Sequence, residues 1–175
     1  MSATDHLSVI RNKILDEQSL YRQLMVWKLK TKKIVFTNGC FDILHQGHIQ
    51  YLVKAKDLGD ILIVGVNSDA SVKRLGKNPN RPIQDEQARA LILASLQFID
   101  NIILFDEDTP LQLIEKIQPA VLVKGADYDA EEKDPKNKKY IVGSDSVRAN
   151  GGTVATIEFA EGYSTTGIEN KITGI

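Results

Sequence analysis

Apolar residues occur along the chain in short runs that are separated by longer segments with helical spacing. Near-continuous apolar runs of strand length begin at Ile34, Ile61, Ile99 and Ala120, and alternating β-branched residues follow Thr153. Runs of this kind are typical of strands that are buried on both faces of a parallel sheet. Because a helix between two such strands joins parallel neighbours, the pattern predicts an α/β fold with a parallel sheet.

The segments between the predicted strands favour helices. Apolar residues recur at intervals of three and four over residues 47–58 and 85–96, and Pro110 opens a helix that runs to about Ile117. A short helix is expected after the hydroxyl run 164–166, because serine and threonine are preferred helix caps. Residues 70–82 are rich in Lys, Arg, Gly and Pro, so we expect a basic loop with too many breakers for a long helix.

Ahead of the first run, residues 1–32 have the pattern of a helical extension. Leu7, Ile10, Ile14 and Leu15 mark one helix, and a second spans residues 20–29. We expect this extension to pack on the edge of the sheet or on a second subunit, which makes a homodimer a reasonable assembly. The remaining residues, 33–175, have the length of a single domain.

Composition excludes several classes of protein. Lys and Arg number 22 against 23 Asp and Glu, giving a net charge of −1. A binding partner that is nucleic acid or an anionic membrane would call for a basic excess. The chain has one cysteine, too polar an N-terminus for a signal peptide, and no apolar run of 18 residues. We therefore expect a cytoplasmic protein without disulfides.

The strongest chemical signal follows the strand at Ile34. A small, polar turn, residues 37–42, leads to His45 and His48 at the start of a helix. Residues three apart share a helix face, and free N–H groups and the helix dipole favour an anion there. The arrangement predicts a phosphate site. One alternative is a helix cap and a surface histidine; another is zinc, although no Glu lies between the histidines and no Cys pair is near.

Other polar residues are expected at the same edge of the sheet, where ligands of such folds bind. Residues 67–69 end one strand, and Lys124 to Tyr128 end another. The hydroxyls of residues 164–166 either cap the last helix or also offer donors to phosphate. Residues 129–140 are dense in mixed charge and are expected to form a solvated loop.

The segment Thr-Asn-Gly-Cys-Phe-Asp-Ile-Leu-His-Gln-Gly-His, residues 37–48, resembles the signature of the cytidylyltransferase-like nucleotidyltransferases. The resemblance spans about residues 33–172. It implies a Rossmann-like, doubly wound parallel sheet. It also implies transfer of a nucleoside monophosphate from a nucleoside triphosphate to a phosphorylated acceptor, with release of pyrophosphate. Mg²⁺ is then expected with the triphosphate, without a metal site of the protein's own.

The resemblance also suggests which residues do the work. Catalytic roles fall to His45, His48 and Lys77, although Lys77 also reads as a solvated loop lysine. The expected nucleotide-binding residues are Asn38, Gly39, Cys40, Phe41, Arg89, Lys124, Asp127, Ser164, Thr165 and Thr166. An exposed helical arginine is the alternative for Arg89. Many relatives have an arginine that contacts phosphate where this chain has Glu169, so the contact does not carry over to Glu169. Lys171 is a candidate to replace that arginine.

Further motifs indicate which members of this family the chain resembles most. They are Arg81-Pro82-Ile83, Asp108-Thr109-Pro110, residues 123–128, residues 150–152 and residues 164–166. Together they are similar to the D-glycero-D-manno-heptose 1-phosphate adenylyltransferases, which are often fused to a sugar kinase; this chain looks like the stand-alone form. The implied substrates are ATP and the heptose phosphate. One alternative is a cytidylyltransferase for glycerol 3-phosphate or a similar alcohol phosphate, and another is a non-catalytic nucleotide-binding module.

Overall fold

A computed structural model describes residues 5–76, 80–159 and 162–173. In that part of the chain, six strands form one sheet in the order β1-β4-β3-β2-β5-β6, and every neighbouring pair is parallel. The strands are β1 Ile14–Leu15, β2 Ile34–Gly39, β3 Ile61–Asn67, β4 Asn101–Phe105, β5 Val121–Gly125 and β6 Thr153–Ile157. The helices are α1 His6–Arg11, α2 Glu17–Leu29, α3 Gln46–Lys56, α4 Asp69–Arg74, α5 Glu86–Ala94, α6 Leu111–Ile117, α7 Ser144–Ala149 and α8 Thr165–Thr173.

The predicted doubly wound sheet is confirmed, with helices packed on both faces. Side chains of β2 alternate between two buried clusters: Val35 faces α3 and α5, whereas Ile34 and Phe36 face α2, α6 and α7. Successive strand residues point to opposite faces, so both faces of a central strand must be apolar. This explains why the strands read as continuous apolar runs rather than as alternating ones.

Two local predictions were wrong. Ile14 and Leu15, assigned to the first helix, form the edge strand β1 and pair with Ile102 and Ile103 of β4. The helical spacing of these two residues is a local pattern, and their tertiary pairing with β4 overrides it. In the basic segment 70–82, expected to be a loop, the first residues form α4, which Ser68 caps by accepting from the N–H of Ser71.

The sheet opens at one place. β2 and β3 remain in register to Gly39 and Val66, and β5 and β6 to Gly125 and Ile157. The register between β2 and β5, however, ends at Phe36 and Leu122. The chain order also reverses between these two strands, and such switch points are where ligands bind in doubly wound sheets. A crevice therefore opens between the carboxyl ends of β2 and β5.

Candidate active site

The crevice forms a cavity of about 390 Å³. Its size suits a small phosphorylated ligand rather than a macromolecule. The residues that line it come from the ends of several strands and from the loops that follow them. They are Asn38, Gly39, Cys40, Phe41, His48, Tyr51, Asn67, Leu75, Asp108, Thr109, Pro110, Lys124, Gly125, Asp127, Tyr128, Val142 and Phe159.

The two histidines lie together at the N-terminus of α3. His45 is the helix cap, and its Nδ1 accepts from the backbone N–H of His48 at 3.4 Å. Since a neutral imidazole that accepts at one nitrogen carries its proton on the other, the Nε2–H of His45 points away from the helix. The rings stack with centroids 3.8 Å apart and planes at 23°. His48 lines the cavity, and His45 stacks on its ring without lining the cavity itself.

Both histidines are neutral at pH 7. The pKa of His48 is lowered to about 4, mainly by burial and in part by the charge of His45. The pKa of His45 is also lowered by burial. A neutral imidazole still donates one hydrogen bond, and it does not repel a second imidazole at stacking distance. The pair can therefore offer N–H donors to an anion without first carrying two charges.

The turn before the histidines holds an unusual backbone conformation. Phe41 has a φ of 50°, in the left-handed region that side chains larger than glycine rarely adopt. Its ring packs edge-on against His48 at 5.3 Å and lies over Gly39, where an added Cβ would meet the ring at 3.1 Å. Strain of this kind persists only where the surroundings fix the backbone, and here two side chains do so.

The first of these side chains is Arg89, which was expected to bind the nucleotide. Instead of lying in the cavity as a phosphate ligand, its side chain is fully buried beneath the turn. Its Nη1 donates to the carbonyl of Cys40 at 2.7 Å, and its Nη2 pairs with Asp69 at 2.7 Å. Its Nε donates to the carbonyl of Gln84. With three acceptors already bound, the guanidinium serves as a clamp on the turn.

The second side chain is Asp42. Its carboxylate is 2% exposed and accepts from the backbone N–H groups of Ile83 and Gln84 at 2.8 to 3.0 Å. The Gln84 amide returns a hydrogen bond to the Asp42 carbonyl. Asp42 therefore orients the histidine turn by tying that turn to the segment before α5.

The opposite wall comes from the end of β5. Lys124 lies 5.3 Å from the centre of the Tyr128 ring, and Asp127 is exposed beside it. The ring of Phe159 packs on the face of Gly125, so closely that an added Cβ would lie 2.1 Å from it. Phe159 also stacks on Tyr51 at 5.3 Å. This wall therefore combines one cation and one carboxylate with an aromatic floor.

The N-terminus of α8 lies next to that of α3. An added Cβ at Gly47 would come within 3.2 Å of Cβ of Tyr163, so the absence of a side chain there permits the approach. Ser164 caps α8 by accepting from the N–H of Gly167 at 3.0 Å. Thr165 and Thr166 follow in the first turn, and none of the three hydroxyl residues lines the cavity itself.

The structure gathers most of the predicted residues and adds several. Asn38, Gly39, Cys40, Phe41, His48, Lys124 and Asp127 line one cavity, whereas Lys77 lies outside the described residues. Asn67 was expected at this edge of the sheet without an assigned role, whereas Tyr51 and Phe159 were missed. Tyr51 follows His48 by three residues, so helical spacing could have placed it on the same face. Asn67 ends β3 in a motif noted for its position, whereas no local pattern marks Phe159.

The carboxylates of the site are too dispersed to form a metal centre. Among the residues that the structure describes, no group of three His, Cys, Asp or Glu side chains is arranged to hold an ion. The carboxylates that line the cavity are Asp108, which pairs with Arg74 at 2.6 Å, and Asp127. Mg²⁺ is often bound by one or two carboxylates together with substrate phosphates, and Asp127 suits that mode.

Comparison with known proteins decides the family. The cytidylyltransferase-like family model matches residues 36–171. The chain belongs to the cytidylyltransferase-like family. The expectation of a nucleotidyltransferase enzyme is thereby confirmed. A lipopolysaccharide core biosynthesis protein from Thermoplasma volcanium GSS1 is 30% identical, with a TM-score of 0.56 over 76% of this chain and 99% of that one.

Two curated relatives carry the name bifunctional protein HldE. The one from Wolinella succinogenes is 48% identical over 98% of this chain and 33% of its own length. That from Geobacter metallireducens is 56% identical over 83% of this chain and 28% of its own length. The chain thus spans at most about a third of the curated relatives it matches. A pantoate-beta-alanine ligase from Francisella tularensis, 18% identical with a TM-score of 0.57, shares the fold.

None of the described helices is a candidate for a membrane-spanning segment. None of them combines the length and the apolar character that crossing a bilayer requires.

Proposed function

We propose that the protein transfers AMP from ATP to D-glycero-D-manno-heptose 1-phosphate, giving ADP-heptose and pyrophosphate. The observation that carries the chemistry is the stacked pair His45 and His48 at a helix N-terminus, beside a cavity at the switch point of the sheet. The motif resemblance supports the substrates. The similarity to a lipopolysaccharide core biosynthesis protein is consistent with a heptose acceptor.

The reaction is a direct in-line displacement. An oxygen of the sugar phosphate attacks the α-phosphorus of ATP, and the bond from that phosphorus to the oxygen bridging to the β-phosphate breaks. The electron pair leaves with pyrophosphate. The acceptor is already anionic, so no side chain has to act as a nucleophile or remove a proton. Catalysis is then a matter of positioning and charge stabilisation, and Cys40 has no covalent role.

His45 and His48 donate hydrogen bonds to the oxygens on which charge grows, at the α-phosphate and the bridging position. The N–H groups of Cys40 and Phe41, held by the backbone conformation of the turn, add main-chain donors. Ser164, Thr165 and Thr166 receive the outer phosphates at the start of α8. Lys77, which follows α4 in the sequence, supplies positive charge.

The wall at the end of β5 holds the remaining groups. Lys124 and Asp127 face the nucleotide or the acceptor across the aromatic floor. Mg²⁺, when bound with the triphosphate and Asp127, would neutralise phosphate charge. The size of the cavity suits two small substrates, which we place in the cytoplasm. The assembly that we propose is a homodimer, formed through the apolar surface of the N-terminal segment.

A substrate panel tests the proposal. Pyrophosphate release is measured with Mg²⁺ for ATP and CTP, each combined with both anomers of heptose 1-phosphate and with glycerol 3-phosphate. We expect release only with ATP and a heptose phosphate, and the reactive anomer identifies the acceptor. Omission of the acceptor is the blank.

Each other result has a defined meaning. Release only with CTP and glycerol 3-phosphate would establish an alcohol-phosphate cytidylyltransferase and reject the heptose assignment. No release in any combination, together with tight ATP binding by calorimetry, would favour a non-catalytic nucleotide-binding module.

A further inference from the structure

Glu169 of α8 forms an ion pair with Arg81. The Nε and Nη2 of Arg81 both donate to Oε1 of Glu169, at 3.0 and 2.9 Å. The two side chains are only 20% and 19% exposed. Charge-assisted pairs that are shielded from water are stronger than ion pairs on an open surface.

One end of this pair is fixed to the histidine turn. Arg81 lies two residues before Ile83, and the N–H groups of Ile83 and Gln84 are bound by the buried carboxylate of Asp42. Asp42 in turn precedes His45 by three residues. Arg81 is therefore held at a set position relative to the N-terminus of α3.

The other end of the pair lies on α8, which buries little apolar surface among the described residues. No residue of α8 whose side chain is described is fully buried, and Ile172 is 77% exposed. In contrast, α3 buries Tyr51, Leu52 and Ala55 in the core. An element with few buried apolar contacts opens at low free energy, so one shielded ion pair is enough to decide whether α8 is docked.

We propose that Arg81 and Glu169 are positioning residues, whose ion pair holds the N-terminus of α8 against that of α3 and so sets the affinity for the triphosphate. This inference rests on the proposed function, because the docked helix presents Ser164, Thr165 and Thr166 to phosphate. Undocking withdraws these donors equally from the bound substrate and from the transition state. Loss of such uniform binding raises KM and leaves kcat unchanged.

Charge reversal tests the pair. Arg81→Glu and Glu169→Arg each place like charges together, whereas the double variant restores an opposite pair in swapped order. We expect each single variant to raise KM for ATP about tenfold, with kcat within about twofold, and the double variant to recover most of the loss. Glu17→Arg, which breaks the exposed pair of Glu17 with Lys116, is the matched control and should leave KM unchanged.

Hydrogen exchange provides a readout that does not depend on turnover. Amides of residues 167–172 should exchange about tenfold faster in each single variant and regain protection in the double variant. If α8 kept its protection, or if the double variant were no better than the singles, the inference would be overturned. A lower KM for Glu169→Arg alone would also overturn it, because that result would mean direct phosphate contact.

Failure of the proposed function would look different. Wild-type protein that neither binds ATP nor releases pyrophosphate would reject the nucleotidyl transfer, while the exchange of α8 amides in the four proteins would still decide whether the ion pair docks the helix.

Discussion

The rings of His45 and His48 stack 3.8 Å apart at the mouth of the cavity. Protonation of both would place two like charges at that distance, next to a helix N-terminus that already disfavours cations. Burial lowers the pKa of both rings, and the charge of His45 also lowers the pKa of His48. The pair is therefore an array of neutral donors rather than a cationic site.

Removing the inner donor should reduce turnover strongly. His48→Ala is expected to lower kcat by about 100- to 1,000-fold, because a donor aimed at the developing charge is lost. ATP affinity, measured by calorimetry, should remain close to that of the wild type. His6→Ala, at the exposed histidine of α1, is the control for loss of an imidazole. Full turnover by His48→Ala would remove His48 from the catalytic residues.

The stability of the protein should decrease as pH falls from about 6.5 to about 4. In the unfolded chain His48 takes up a proton near 6.5, whereas in the folded protein it resists protonation down to about 4. The unfolded state therefore binds more protons in this window and is favoured as the pH falls. Urea unfolding at pH 7.5 and pH 5 measures the change for wild type and for His48→Gln.

The Gln variant lacks the titrating group, so its stability should decline less between the two pH values. Equal declines for the two proteins would show that His48 is not held neutral by the fold.

Loss of the buried guanidinium should destabilise the fold. Arg89→Met leaves the Cys40 carbonyl and the Asp69 carboxylate without the partner they have in the native state. A hydrogen bond to a charged group contributes about 2 kcal/mol, so we expect a loss of this order from the Cys40 contact, while the Asp69 side chain, which is 31% exposed, is partly stabilised by water. Chemical denaturation provides the measurement. Arg22→Met, on the exposed face of α2, should change the free energy of unfolding by less than about 0.5 kcal/mol.

A methyl group added at Gly125, in the wall at the end of β5, should affect substrate binding more than the stability of the fold. In Gly125→Ala the new Cβ would overlap the ring of Phe159 and approach Oδ1 of Asp127 at 2.5 Å. Phe159 is 43% exposed and can move away, so the melting temperature should change little. The displaced ring and carboxylate should raise KM for ATP or for the acceptor, as measured by pyrophosphate release.

Gly151→Ala separates this effect from the general effect of a methyl group. It adds a Cβ at a φ of 79° with no neighbour within 4 Å. Backbone strain should lower its stability, while both KM values remain those of the wild type. If Gly125→Ala also left both KM values unchanged, the floor would have no role in binding.

Sequence reasoning succeeded where the information is local. His45 and His48 are three residues apart, so their meeting follows from helix geometry. The position of Lys124 and Asp127 follows from strand order, since the carboxyl ends of parallel strands share an edge. The same reasoning would have found Tyr51, one turn after His48.

Sequence reasoning failed where the partner that determines a residue's position is distant in the chain. Arg89 was expected to bind the nucleotide, with an exposed helical arginine as the alternative, because no neighbouring residue indicates that its partner is the carbonyl of Cys40. Phe159 reads as the end of a strand, although its ring covers Gly125. The pairing of Ile14 with Ile102 is equally distant. Each depends on packing between segments that the periodic pattern treats separately.

Because β2 and β5 separate before the crevice, the two sides of the crevice belong to backbone segments that do not pair with each other. The turn at residues 38–41 and the segment at residues 124–128 share no strand register, so no ladder hydrogen bond ties the backbone of one to that of the other. Evolution can therefore retain the histidine side for a constant reaction while it varies the opposite side. A new acceptor then requires a new lining and not a new fold.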